Sequence, residues 1–427
     1  MNTILASSLP TKKFIDPDSC SVPFHDIAQQ NINSLLKNES TWILKQSVGQ
    51  IGWRTKKHYF KVNQKVQSGQ KQIAQAKLES QPSTSSYKEN SEQEFLISWT
   101  EFGPDKQLSD KEINTILKSL SKIKHPFIFP IEYINSNENG CLTIRKFHKE
   151  GSLKDMLCGS QPLNAFSMKY GNTKGRIALP LEDLSLYSRQ ILEALKFLHS
   201  KGLPYGHLTT ANIFIENGAA KLSAIENFIL GVSSFYRPFF VQHSRVNSME
   251  MIDVFTFGHV LFEMQSTYSL QEPCIREVSD CPTNLKALLE LIIAKDSLKS
   301  TSPSLDHVLS HKFFKEFEPK FEQLYSGSLK SSKVDFDLPA KESILKASQK
   351  TEQRLKDEQK LVKSQKRVTQ SQKMMITEEE KRKQSKQKLK TQNSLQNGPI
   401  NFRINLSETS RSESKSEDSQ HTGSEIV

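Results

Sequence analysis

The sequence predicts an α+β fold in two lobes, a small β-rich lobe followed by a larger helical one, and three observations carry that expectation. Between Trp42 and Ile144 the hydrophobic pattern runs strand, strand, strand, helix, strand, strand. Tyr187, Ile191, Ala194, Leu195 and Leu198 then fall on one stripe of a helix. Two apolar runs, Ile213 to Ile215 and Lys221 to Ile225, meet at Asn217-Gly218, the strongest short hairpin signal.

Residues 1–40 are polar with few apolar anchors and read as an extension, with one weak helix from Phe24 to Leu36. Residues 41–147 form the small lobe. ILKQSVGQIGW and KKHYFKV supply two strands, and 64–92, rich in Gln, Ser and Lys, reads as a flexible insertion. Phe95 to Trp99 is a third strand. Ser109 with Glu112 three residues on is a capping box that opens a helix to Lys124. Strands near Ile131 and at Cys141 to Ile144 complete the lobe. Residues 148–318 form the large lobe, from GSLKDML through the striped helix, which stops at Lys201-Gly202. MIDVFTFGHVLFEM (Met251 to Met264) reads as a buried helix and LDHVLSHKFF (Leu305 to Phe314) as a closing one. Residues 319–427 are expected as a disordered tail, basic first and Ser-rich at the end, with a solvated helix as the other reading of Lys341 to Lys390, whose apolar residues are too sparse for a core.

Helix, loop and hairpin in this order resemble the catalytic-loop region of a protein kinase, and the whole strand and helix order resembles kinase lobes. The departures matter more than the matches. Where a kinase loop reads H-R-D-L-x-x-x-N, this chain has Tyr205, Gly206, His207, Leu208 and then Asn212, so the proton-accepting Asp is replaced by His207. Aligning on Lys221 and Leu222 puts Ala224 at the metal-binding Asp. In this alignment Trp99 takes the strand-three lysine position, Ile116 that of its glutamate partner, and Arg145 stands at the gate before the hinge. Gly49 and Gly52 sit where a phosphate-covering glycine loop would lie, a spacing that also suits a plain turn. Asn212 is either a metal ligand or the loop's own clasp. Asp253 and Gly258 match positions that build the kinase fold, the carboxylate of Asp253 accepting from catalytic-loop backbone.

Positions that build the fold match, and positions that handle phosphate, magnesium and proton do not. The chain thus resembles a pseudokinase. The phrases IGWR, SWTEFGPDKQLSDKE, KFLHSKGLPYGHL, IENFILG, SFYRPFF and DVFTFGHVLFEM are similar to the PX-domain-containing kinase-like and slowpoke-binding family, from Ile51 to Phe314. No PX domain precedes that stretch, which favours the slowpoke-binding branch. The resemblance implies a non-catalytic scaffold that holds no metal and binds ATP weakly or not at all. Its implied partners are a membrane transport protein, here a calcium-activated potassium channel, and a phosphoserine-binding adaptor. The rival readings are an atypical kinase, with His207 as base and Asn212 with Glu226 on metal, and an endosomal trafficking adaptor.

The net charge of +11 sits mostly in the tail: Lys341 to Lys390 holds sixteen Lys or Arg against seven Asp or Glu. The remaining body is nearly balanced and carries no zinc spacing or basic groove helix, which argues against nucleic acid. The basic stretch suits an anionic membrane surface or an acidic protein, tuned by phosphorylation of serines such as Ser364, Ser371 and Ser385. There is no run of about 18 apolar residues, and the five cysteines include no C-x-x-C pair. A cytoplasmic location, peripheral at the plasma membrane, is the expectation.

Overall fold

A computed structural model describes residues 22–65, 93–171, 175–276, 281–300, 302–315, 317–334 and 336–396. Most of the expected insertion, the first 21 residues and the Ser-rich end lie outside the described residues. The chain divides into two units, 1–364 and 365–427.

The first unit opens with helix α1 (Val22–Leu36), followed by β1 (Trp42–Gly49), β2 (Lys57–Gln64), β3 (Phe95–Glu101), α2 (Asp110–Leu120), β4 (Tyr133–Ser136) and β5 (Gly140–Lys146). The five strands form one antiparallel sheet in the order β1-β2-β3-β5-β4. Ser109 caps α2 through the reciprocal bonds with Glu112 that the sequence signals. Helix α1 is more than an extension: Ala28, Ile32 and Leu36 are buried with Phe60, Val62, Ile97 and Trp99 on one face of the sheet. The opposite face turns toward the large lobe.

The large lobe holds α3 (Leu153–Leu157), α4 (Phe166–Tyr170), α5 (Leu181–Ser200), the hairpin β6 (Ile213–Glu216) and β7 (Ala219–Leu222), α6 (Arg237–Phe240), α7 (Met249–Gln265), α8 (Thr283–Ile293), α9 (Leu305–Leu309) and α10 (Lys312–Lys315). The apolar stripe of α5 is buried throughout. Asn217 and Gly218 take φ of 53° and 74°, as an Asn-Gly hairpin turn requires. At Gly258 an added Cβ would lie 2.6 Å from Ile293 Cγ2, so only glycine lets α7 and α8 approach this closely.

Asp253 of α7 fixes the loop that follows α5. Its buried carboxylate accepts from Gly206 N at 2.7 Å and Tyr205 N at 3.2 Å, and lies 2.7 Å from His199 Nε2. Two glycines bring the lobes together nearby. Gly103 N donates to Leu230 O and Asp105 N to Gly231 O, both at 2.9 Å, and a Cβ on Gly103 would fall 2.0 Å from Gly231 O.

The expectation of a disordered tail is corrected over its first part. Helices α11 (Glu318–Lys330) and α12 (Leu338–Gln396) follow α10. Ala340, Ile344, Ala347 and Leu355 are buried, a stripe at i, i+4, i+7 and i+15. The stripe was hidden because two of its members are alanines inside a Lys- and Gln-rich run. Gln359 donates to the carbonyls of His243 and Val246, each at 2.9 Å, and Glu358 pairs with Arg237 at 2.8 Å. Ser343 Oγ donates to Glu112 of α2 at 2.6 Å. The start of α12 therefore straps both lobes. In the second unit, the side chains of 365–389 are all exposed.

Asp253→Ala is expected to destabilise the chain by about 1–3 kcal/mol, the cost of leaving buried donors unpaired, read by chemical unfolding. Burial opposes the His199 charge, but the hydrogen bond and the charge of Asp253 prevail and raise its pKa above 6.5. The contribution of that pair is full below about pH 6.5 and fades as pH rises through the folded-state value. His199→Gln should therefore cost more stability at pH 6 than at pH 9; an equal cost at both would refute the pairing. Leu355→Ala should cost about 2–5 kcal/mol, whereas Leu361→Ala, on an exposed residue, should leave the unfolding midpoint unchanged.

Candidate functional site

Between the lobes lies a cleft of about 150 Å³. Its roof is the inner face of the sheet, with Lys57 and Tyr59 from β2, Leu96 and Ser98 from β3, and Thr143 and Arg145 from β5. Its floor is built by Asn212, Phe214, Ser223, Ala224 and Asn227. The segment before α5 closes one side, where Phe166 N donates to Gln50 O at 3.0 Å.

The alignment placed Trp99 at the lysine position, and the structure corrects this. Trp99 pairs with His58 and Leu142 and is buried under α1, on the face away from the cleft. Successive strand residues point to opposite faces, so a count off by one residue reverses the side. Ser98 stands on the cleft face instead, and it too has no charge. Ile116 is buried on α2, and no residue of α2 lines the cleft. Of the two loop glycines, Gly52 lines the cleft and Gly49 does not; Gly52 packs against Tyr59, whose hydroxyl would lie 2.8 Å from an added Cβ.

His207 is buried, with Nδ1 3.3 Å from Arg54 Nη2. A guanidinium can only donate, so Nδ1 accepts and the ring is neutral. Burial, and then the nearby Arg54, Lys57 and Arg237, hold its pKa well below the usual value. Such a weak base is poorly suited to taking a hydroxyl proton near neutral pH. Asn212 is the loop's clasp: its amide donates to His207 O at 2.8 Å, and its own carbonyl accepts from Ser223 N at 2.8 Å. Ala224 lines the cleft with φ 57°, a left-handed conformation that an alanine adopts at a cost of about 1 kcal/mol.

Glu226, the other metal ligand of the rival reading, is fully buried and held by Arg145 through bonds of 3.2 and 2.6 Å. Burial alone would raise its pKa, but Arg145 and Lys57 outweigh burial and keep it below the usual carboxylate value. The gate cation expected at Arg145 thus sits in the cleft and engages the carboxylate there. Among the described residues no cluster of three His, Cys, Asp or Glu could hold a metal ion. The residues present do not fit magnesium-ATP, since the cleft has neither a free carboxylate for the metal nor a β3 lysine for the phosphates.

Sequence reasoning missed Lys57, which is 8% exposed and lines the cleft, and Arg54, which spans the lobes to Ser233 O at 2.6 Å. The signal was present in β2: Phe60 and Val62 lie with the α1 core, which by strand alternation puts Lys57 and Tyr59 on the other face.

Residues 61–229 match the protein tyrosine and serine/threonine kinase family. The chain is 33% identical to a PX domain-containing protein kinase-like protein of Mus musculus over 87% of its own length and 59% of the relative's. It is 36% identical to the slowpoke-binding protein of Drosophila melanogaster over 37% of this chain and 31% of that one. It is 28% identical to a probable inactive serine/threonine-protein kinase, slob1, of Dictyostelium discoideum over 53% and 42%. The chain spans about three fifths of the length of the mouse relative. The two-lobed architecture, the kinase match and these relatives agree: this is a kinase-like protein related to the PX domain-containing kinase-like and slowpoke-binding proteins.

Proposed function

We propose that the chain is a catalytically inactive, kinase-like scaffold that binds and modulates a membrane transport protein, by family resemblance a calcium-activated potassium channel. The observation that carries the inactive half is the Arg145–Glu226 pair inside the cleft. It occupies the carboxylate that metal would need and puts a guanidinium where a kinase keeps its nucleotide pocket. Ser98, Ile116, His207 and Ala224 add the loss of phosphate clamp, clamp partner, base and metal ligand. Positioning and charge stabilisation carry most of phosphoryl transfer, whereas a base alone supplies about 10²–10⁴-fold. Retention of Asp253 and Gly258 keeps the fold as a binding platform. Binding to a channel rests on the similarity to the slowpoke-binding protein of Drosophila melanogaster. Among the described residues no helix is long and apolar enough to cross a membrane, so contact with such a partner is through an exposed face or the helix 365–389.

Purified chain with magnesium and labelled ATP should transfer no phosphate to itself or to generic substrates above the level of Asn212→Ala; incorporation that this substitution abolishes overturns the inactive reading. Restoring His207→Asp and Ala224→Asp together should still give no turnover, because the β3 lysine is missing from the cleft face and Arg145 remains in place. Capture of the cytoplasmic part of the channel on immobilised chain is the direct test of the scaffold half, and no enrichment over an unrelated channel would count against it.

A further inference from the structure

We propose that the cleft takes the phosphate group of a small phosphorylated molecule without a metal ion, gripped by Lys57 of β2 with Arg145 beside it. The inference stands on the charge and hydrogen-bonding inventory of the cleft and does not depend on the scaffold reading. It goes beyond the expectation that nucleotide is held weakly or not at all.

Five cationic side chains, Arg54, Lys57, Arg145, Lys146 and Lys169, line the cleft, and of these Lys146 is exposed. Two buried carboxylates lie among them and both are taken: Asp155 of the lining pairs with Lys169 at 3.0 Å, and Glu226 beside it accepts two hydrogen bonds from Arg145. Arg54 spends its guanidinium on Ser233 O and His207 Nδ1. Lys57 is left over. Its ammonium is in no ion pair or hydrogen bond among the described residues and stands 5.8 Å from the centre of the Tyr59 ring.

A buried charge is ordinarily paired or else loses its proton. Burial, the largest influence, lowers the Lys57 pKa to about 8, with Glu226 opposing and Arg145 and Arg54 adding to the fall. Three further polar atoms of lining residues are buried without a hydrogen-bond partner, the donor Arg145 Nε, the ring nitrogen His148 Nδ1 and the acceptor Asn227 Oδ1. Ser98 and Thr143 add hydroxyls on the same sheet face, directly paired across β3 and β5. The donors outnumber the acceptors and the cations outnumber the anions. The group that completes such a site is a compact anion rich in acceptors, and phosphate meets that description. Metal is not needed, since the protein itself supplies the positive charge that magnesium provides elsewhere.

The source of the phosphate is distinguished by the probes. Full-length chain in EDTA is titrated with ATP, pyrophosphate and inositol hexakisphosphate, with adenosine as the control, by calorimetry and thermal unfolding. At least one of the three phosphates should bind and adenosine should not. ATP ahead of the others marks a nucleotide, the inositol compound ahead marks an inositol phosphate, and equal binding marks any pyrophosphate unit. Lys57→Gln should weaken binding by about tenfold or more, the loss of one charge-assisted contact. Lys56→Gln should leave binding unchanged, since Lys56 is exposed and pairs with Glu101. Lys57→Arg keeps the charge and should retain binding, which serves where Lys57→Gln fails to fold. The proposal is overturned if no phosphate binds at millimolar concentration, if binding requires magnesium, if adenosine binds as tightly as ATP, or if Lys57→Gln folds and binds as the parent chain does.

Discussion

The loop after α5 has no regular hydrogen-bonding ladder of its own, and the Asp253 carboxylate supplies what is missing. Its two oxygens collect the backbone donors of Tyr205 and Gly206 and hold His199. Everything that lines the cleft floor follows from that anchor: His207 is placed beside Arg54, Asn212 is set to clasp His207, and Ser223 is tied to Asn212. Gly206, at φ 69°, makes the turn that brings these residues round. A kinase needs such a loop to position its chemistry. Here the anchor is retained while His207 and Ala224 stand at the base and metal-ligand positions, which is the pattern expected when the loop is kept for the shape of the molecule.

The fold was legible because it is written in periodicities. The stripe of α5, the Asn-Gly hairpin, the capping box at Ser109 and the near-continuous apolar run of α7 each signal one element, and each stands where the pattern put it. The site was legible by subtraction, through His207, Ala224 and Ile116. It failed at Trp99, where counting along an alignment cannot see which face of a strand a residue takes. It also failed at Lys57, whose importance comes from neighbours far away in sequence, Arg145 and Glu226. The start of α12 was missed for a different reason. Its anchors are small residues, and alanine among lysines and glutamines gives little hydrophobic contrast although Ala340 and Ala347 are buried.

The cleft shows how a kinase-like interior can be stable without its usual occupant. The cleft lacks the β3 lysine, the helix glutamate and the metal-binding aspartate. What remains is a different arrangement, with β5 supplying Arg145 and the turn following β7 supplying Glu226, one hydrogen-bonded pair in place of a lysine, a glutamate and a metal. Burying such a pair is costly unless its geometry is good, and two bonds to one carboxylate meet that condition.

Gly103 and Gly231 press the backbones of the two lobes together, Phe166 reaches back to Gln50, and the first turns of α12 pair with residues of both lobes. In an enzyme of this architecture, opening and closing of the lobes admits substrate and releases product. The proposed scaffold has no need of that motion, and contacts that stitch the lobes oppose it. The consequence is felt in recognition: a surface composed from both lobes is presented already assembled, so a partner that docks across them does not have to supply the ordering free energy that a hinged surface would demand.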